Sequence, residues 1–89
     1  MAWRIEFSPD AHKALVKLDA DTQKRIARFL RERVANMENP RNTGKALIGP
    51  KLSGLWRYRV GDYRIFCRIE DKKICIVVVK IGNRRNVYN

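Results

Sequence analysis

The stretch Gly54-Leu55-Trp56-Arg57-Tyr58-Arg59-Val60-Gly61-Asp62-Tyr63-Arg64-Ile65-Phe66-Cys67-Arg68-Ile69 decides how this chain folds. Side chains alternate faces along a strand, which puts Leu55, Arg57 and Arg59 on one side and Trp56, Tyr58 and Val60 on the other. Glycine first in a two-residue connection suits a type II′ turn, so Gly61-Asp62 joins strands running from Leu55 to Val60 and from Tyr63 to Ile69. That register sets Val60 against Tyr63, Arg59 against Arg64 and Arg57 against Phe66. Three arginines then share one patch, with Arg68 beside them. Like charges directly opposite each other destabilise a sheet by up to about 1 kcal/mol. A bound anion relieves the repulsion, because guanidinium forks match phosphate oxygens in bidentate fashion. Arg57, Arg59 and Arg64 are therefore read as a phosphate site.

Working outward, Ile74 to Ile81 forms a third strand, apolar on both faces as expected of a central or covered strand. It follows a short turn, Glu70 to Lys73. Trp56, Tyr58, Ile65, Ile74, Ile76 and Val78 are expected to face the core together. Phe66, Val77 and Val79 fall on the arginine side, where aromatic and apolar groups can stack a base or receive a partner segment. Cys67 and Cys75 land on opposite faces unless a bulge intervenes, so no disulfide is expected, and both read as small buried hydrophobes.

Upstream, Trp3, Ile5 and Phe7 alternate with Arg4 and Glu6, the period of a half-buried strand. Ser8-Pro9-Asp10 supplies a capping hydroxyl, a proline suited to the first helical position and an acid near the positive end of the helix dipole. This predicts a first helix to about Leu18, with Ala11, Ala14, Leu15 and Leu18 inward. Asp19 or Asp21 caps a second helix whose apolar positions are Ile26, Phe29, Leu30, Val34 and Met37. Its outer face, with Lys24, Arg25, Arg28, Arg31 and Arg33, reads as a solvated surface. Asn39-Pro40 ends that helix, and a loop of some fifteen residues punctuated by Gly44, Gly49, Pro50 and Gly54 leads back to the hairpin. The expected fold is α+β in the order β-α-α-β-β-β, a small antiparallel sheet with two N-terminal helices packed on one face, as one domain over residues 1–89.

The chain has 89 residues and a net charge of +11. Residues 1–40 hold 8 basic and 6 acidic side chains, against 12 and 3 in residues 41–89, so the positive field belongs to the C-terminal half. A lopsided cationic surface captures polyanions, which favours nucleic acid or the ribosome over an acidic protein or a membrane. No apolar run approaches the ~18 residues of a transmembrane helix, and the first residues lack the apolar segment of a signal peptide. A cytoplasmic location is expected. One histidine, His12, lies far from both cysteines, so neither a metal site nor a paired-histidine RNase is expected.

Gly54 to Arg64 resembles the strand-hairpin signature of RelE/ParE-type toxins of bacterial type II toxin–antitoxin pairs. Gly82-Asn83-Arg84-Arg85-Asn86-Val87-Tyr88 resembles that family's closing segment, and Phe7-Ser8-Pro9 and Pro40-Arg41 are similar too. For RelE-type members the resemblance implies a ribosome-dependent endoribonuclease that cuts messenger RNA in the ribosomal A site, without metal or cofactor. The substrate's own 2′-hydroxyl attacks the adjacent phosphate. Carried over, Arg57 and Arg59 stand where basic active-site residues stand, Arg64 and Arg84 match phosphate-stabilising arginines, and Tyr88 matches a tyrosine that stacks a base and moves a proton. Lys45, Lys51, Phe66, Arg68 and Arg85 are candidate RNA-binding residues. Well-characterised members have lysines at the positions of Arg57 and Arg59; arginine stays charged, so both are assigned to electrostatics rather than proton transfer. The implied partners are the ribosome, messenger RNA and a RelB-like antitoxin. The alternatives are a ParE-like inhibitor of DNA gyrase that cuts nothing, and a nucleic-acid-binding module without turnover.

Overall fold

A computed structural model describes residues 2–50 and 53–83. Strand β1 (Arg4–Phe7) leads into helix α1 (Pro9–Val16) and helix α2 (Ala20–Arg28). The Ser8 hydroxyl caps α1 by accepting from the Ala11 N–H at 3.1 Å. Of the two candidate caps for α2 it is Asp19 that serves, accepting from the Thr22 N–H at 3.1 Å and its hydroxyl at 2.6 Å. Helix α1 ends at Val16, short of Leu18, which nevertheless packs against the core.

The last turn of the second helix departs from the α form. Residues Phe29–Val34 make a π-helical turn, in which the Ala35 N–H donates to the Leu30 carbonyl five residues back. Such turns are rare and often accompany functional sites. Leu30 and Val34 remain fully buried across it, so the core contacts survive the widening.

After a 3-10 turn at Pro40–Asn42 come β2 (Lys45–Ala46), β3 (Trp56–Val60), β4 (Tyr63–Glu70) and β5 (Cys75–Asn83). The sheet order is β1-β5-β4-β3-β2. The hairpin register is as the sequence predicts: Val60 faces Tyr63, Arg59 faces Arg64 and Arg57 faces Phe66. Two features go beyond that reading. Strand β1 pairs with β5 in parallel, and a two-residue β2 inside the expected loop adds a fifth strand.

Ala11, Ile26, Leu30 and Val34 meet Tyr58, Ile65, Cys67, Ile76 and Val78 in the core, with Trp56 packed against it. Ile74 is absent from that cluster. It takes φ +48°, left-handed for a β-branched residue, and closes a 3-10 turn at Asp71–Lys73 instead of starting the strand. A bulge interrupts β4 and β5, with Phe66 opposite Lys80 but Cys67 opposite Val78. Cys67 and Cys75 are both buried and free, on opposite faces. Burial pushes the Cys67 thiol up to about 12, far from a reactive thiolate. No helix among the described residues is long and apolar enough to cross a membrane.

Candidate functional site

Cross-strand pairing lays the basic side chains out in rows. Lys45 of β2 faces Arg57 of β3, which faces Phe66 of β4, which faces Lys80 of β5. In the next row Arg59 faces Arg64, and Arg64 faces Gly82, which has no side chain to fill the space beside it. The bulge brings Lys80 into this arrangement, since strict alternation would send it to the helix side with Ile76 and Val78. Its ammonium lies 5.9 Å from the centre of the Phe66 ring.

The loop before β2 is tied down at several points. The buried Tyr58 hydroxyl donates to the Pro40 carbonyl at 2.7 Å, and burial raises its pKa, so it serves as a donor here rather than as a base. Arg41 grips Asp71 with two bonds of 2.9 and 3.0 Å, holding that carboxyl below the ordinary value. Trp56 Nε1 donates to the Thr43 carbonyl at 2.7 Å. Gly44 completes the approach with φ +86°, and a side chain there would run into the Arg57 carbonyl and the Trp56 indole. Together these contacts place Lys45 beside Arg57.

A cavity of about 310 Å3 opens where Lys45, Arg57, Arg59 and Arg64 meet Arg33 and Phe29 of the π turn. Among the described residues its lining contains five cations and neither a carboxylate nor a histidine. Arg33, Lys45, Arg59 and Arg64 form no ion pair among the described residues. Arg64 is the most telling of them. It is 8% exposed, and its Nε and Nη1 are enclosed without a hydrogen-bond partner among the described residues. A buried charge of this kind costs several kcal/mol unless a counter-charge reaches it. No counter-charge reaches Arg64 from the described residues, and an oxyanion would supply both charge and acceptors.

Two candidate residues sit differently from expectation. Phe66 is 2% exposed beneath Lys80, so its ring is not open for a base to stack on. Arg68 lies on the arginine face but is paired with Glu70 at 3.2 Å and does not line the cavity. Arg33, read from the sequence as part of a solvated face, is exposed as expected, and its guanidinium lies over the Phe29 ring at 5.7 Å and lines the cavity. Lys51, Arg84, Arg85 and Tyr88 lie outside the described residues.

The fold is that of a small, strongly basic α+β domain with a cation-lined cavity on its sheet. The chain belongs to the RelE/ParE-type toxins: the family described as the ParE toxin of type II toxin-antitoxin system, parDE, matches residues 5–88. Solved structures agree on the fold. The toxin-antitoxin complex RelBE2 from Mycobacterium tuberculosis contains a chain 24% identical, with a TM-score of 0.83, covering 97% of this chain and 95% of that one. An archaeal RelE-RelB complex from Pyrococcus horikoshii gives 27% identity and a TM-score of 0.74 over 98% and 100% of the two chains. A mutant of the Escherichia coli toxin RelE in the free state gives 24% and 0.77 over 98% and 88%. A search of curated proteins found no match.

Proposed function

We propose that this toxin is a ribosome-dependent endoribonuclease that cuts messenger RNA at the arginine cavity. The observation that carries the reading is Arg64, whose buried Nε and Nη1 have no partner among the described residues, set directly across from Arg59. A scissile phosphate fits between them. The RNA 2′-hydroxyl attacks the phosphorus, the bond to the 5′ oxygen breaks, and the departing oxygen takes a proton from water, leaving a 2′,3′-cyclic phosphate and a 5′-hydroxyl. Negative charge builds on the phosphoryl oxygens in the transition state, and guanidinium groups already aimed there stabilise it more than the ground state.

Arg57, Arg59 and Arg64 stay charged throughout, so they supply electrostatics and not proton transfer. The proton of the 2′-hydroxyl needs another acceptor, and Tyr88 is the residue proposed for it. An unperturbed tyrosine ionises near 10, and cations close by would lower that value. Arg84 is proposed as a second phosphate contact. A RelB-like antitoxin, as in the complexes of the similar structures, is the proposed partner, and an acidic segment covering the cavity would complement its charge.

The match to the ParE family supports a second reading, a gyrase inhibitor that cuts nothing. One experiment separates the two: the toxin is added to a translating ribosome–messenger RNA complex, with gyrase supercoiling assayed alongside. Discrete cuts mapped by primer extension, lost in Tyr88→Phe, support the RNase. Intact RNA with blocked supercoiling supports the gyrase inhibitor.

A further inference from the structure

A second hollow, of about 370 Å3, also borders the π turn. Phe29 and Val60 give it apolar walls, and Arg25, Arg28 and Arg33 stand around it. Its one carboxylate, Glu32, is already engaged by Arg28 at 3.6 Å. Phe29 and Arg33 line this hollow and the anion cavity alike, so the two adjoin at a shared wall. The Arg33 guanidinium lies over the Phe29 ring at that wall.

The π turn therefore sets an apolar, arginine-rimmed space next to a cavity lined by cations. A nucleotide chain has the complementary pattern, a flat apolar-faced base next to each phosphate. The volume is in the range of a small-molecule site, which suits one heterocycle better than a helix of a protein partner. Stacking on aromatic rings and guanidinium planes is also how proteins hold unpaired bases. We propose that this hollow is a nucleobase subsite for the nucleotide adjoining the phosphate at Arg57, Arg59 and Arg64, with Arg33 spanning the two. The proposal rests on the RNA-cleaving reading above and adds a specificity-determining residue to it.

The test compares a short single-stranded RNA with the same oligonucleotide lacking the base next to the central phosphate. Affinities are measured for the full chain and for Arg33→Lys, which keeps the charge and loses the plane. Methyl NMR of Val60 follows occupancy. The expected result is a preference of about tenfold for the base-bearing RNA. Arg33→Lys should shrink that preference, read as the ratio of the two affinities within each protein, and Val60 should respond only when the base is present. Equal affinity for both RNAs with an unmoved Val60 overturns the subsite while leaving the RNA-cleaving reading in place. Val60 responding to an acidic peptide but to neither RNA also overturns it, assigning the hollow to a protein partner. If neither RNA binds and ribosome-bound messenger RNA is also left uncut, the RNA-cleaving reading has failed and the subsite falls with it.

Discussion

Replacing Arg64 by methionine should make the free toxin more stable and far less active. The native guanidinium is nearly enclosed, has two nitrogens without partners among the described residues, and faces Arg59 across the ladder. Methionine is unbranched, adaptable in packing, and carries no charge. Relief of the like-charge opposition contributes up to about 1 kcal/mol. Exchanging buried charges for well-packed apolar groups stabilises other proteins by about 1–4 kcal/mol, so a net gain of about 1–2 kcal/mol is a moderate expectation. For a domain of this size each 1 kcal/mol shifts Tm by about 4–8 °C. Thermal unfolding in a buffer without phosphate or sulfate should therefore show Arg64→Met melting above wild type. Added phosphate should raise the wild-type Tm and narrow the gap, because only the native site gains from the anion. Turnover on ribosomes should fall by roughly 10²–10³, the cost of losing one preorganised charge donor. An Arg64→Met protein that melts well below wild type would refute the reasoning, because it would mean that Arg64 is fully satisfied in the free protein.

Other consequences concern the scaffold and the field around the site. Gly44→Ala meets a left-handed backbone and a direct clash with the Arg57 carbonyl and the Trp56 indole, so urea unfolding should show a loss of about 2–4 kcal/mol. Tyr58→Phe leaves the buried Pro40 carbonyl without its donor and should cost about 1–3 kcal/mol by the same measurement. Asp71 and Asp19 titrate below the ordinary 3.8 because of Arg41 and Thr22 respectively. Their stabilising contributions are present above that pH and are lost as pH falls through the lower folded values, so Asp71→Asn should flatten acid unfolding below pH 3.8. RNA affinity should fall linearly with the logarithm of salt concentration, and Arg59→Gln should reduce that slope by about 0.7.

The hairpin was legible in the sequence because alternating apolar and basic residues flank a two-residue glycine turn, which together allow one register. The opposition of Arg59 and Arg64 follows from that register alone. Helix starts were legible too, since Ser8 and Asp19 carry their capping chemistry locally. What escaped depends on longer range. Nothing within Arg4–Phe7 tells that it will lie parallel to β5 at the far end of the chain. The extra residue that turns Lys80 toward Phe66 has no local mark in an all-apolar run, and Ile74 leaves the ladder against its own β-branched preference. Arg33 was hidden for a similar reason. Five basic residues along one helix look like a solvated face and are indeed exposed, but the widened turn after Arg28, which sets one of them at the cavity, has no local signature.

The measurement that tests the central claim most directly is cleavage of a ribosome-bound messenger RNA carrying a single 2′-deoxy nucleotide on the 5′ side of the cut. The account predicts normal cleavage of the all-ribose message, ending in a 2′,3′-cyclic phosphate, and none at the substituted position. Cutting that persists there would contradict attack by the 2′-hydroxyl and with it the role given to the arginine cavity.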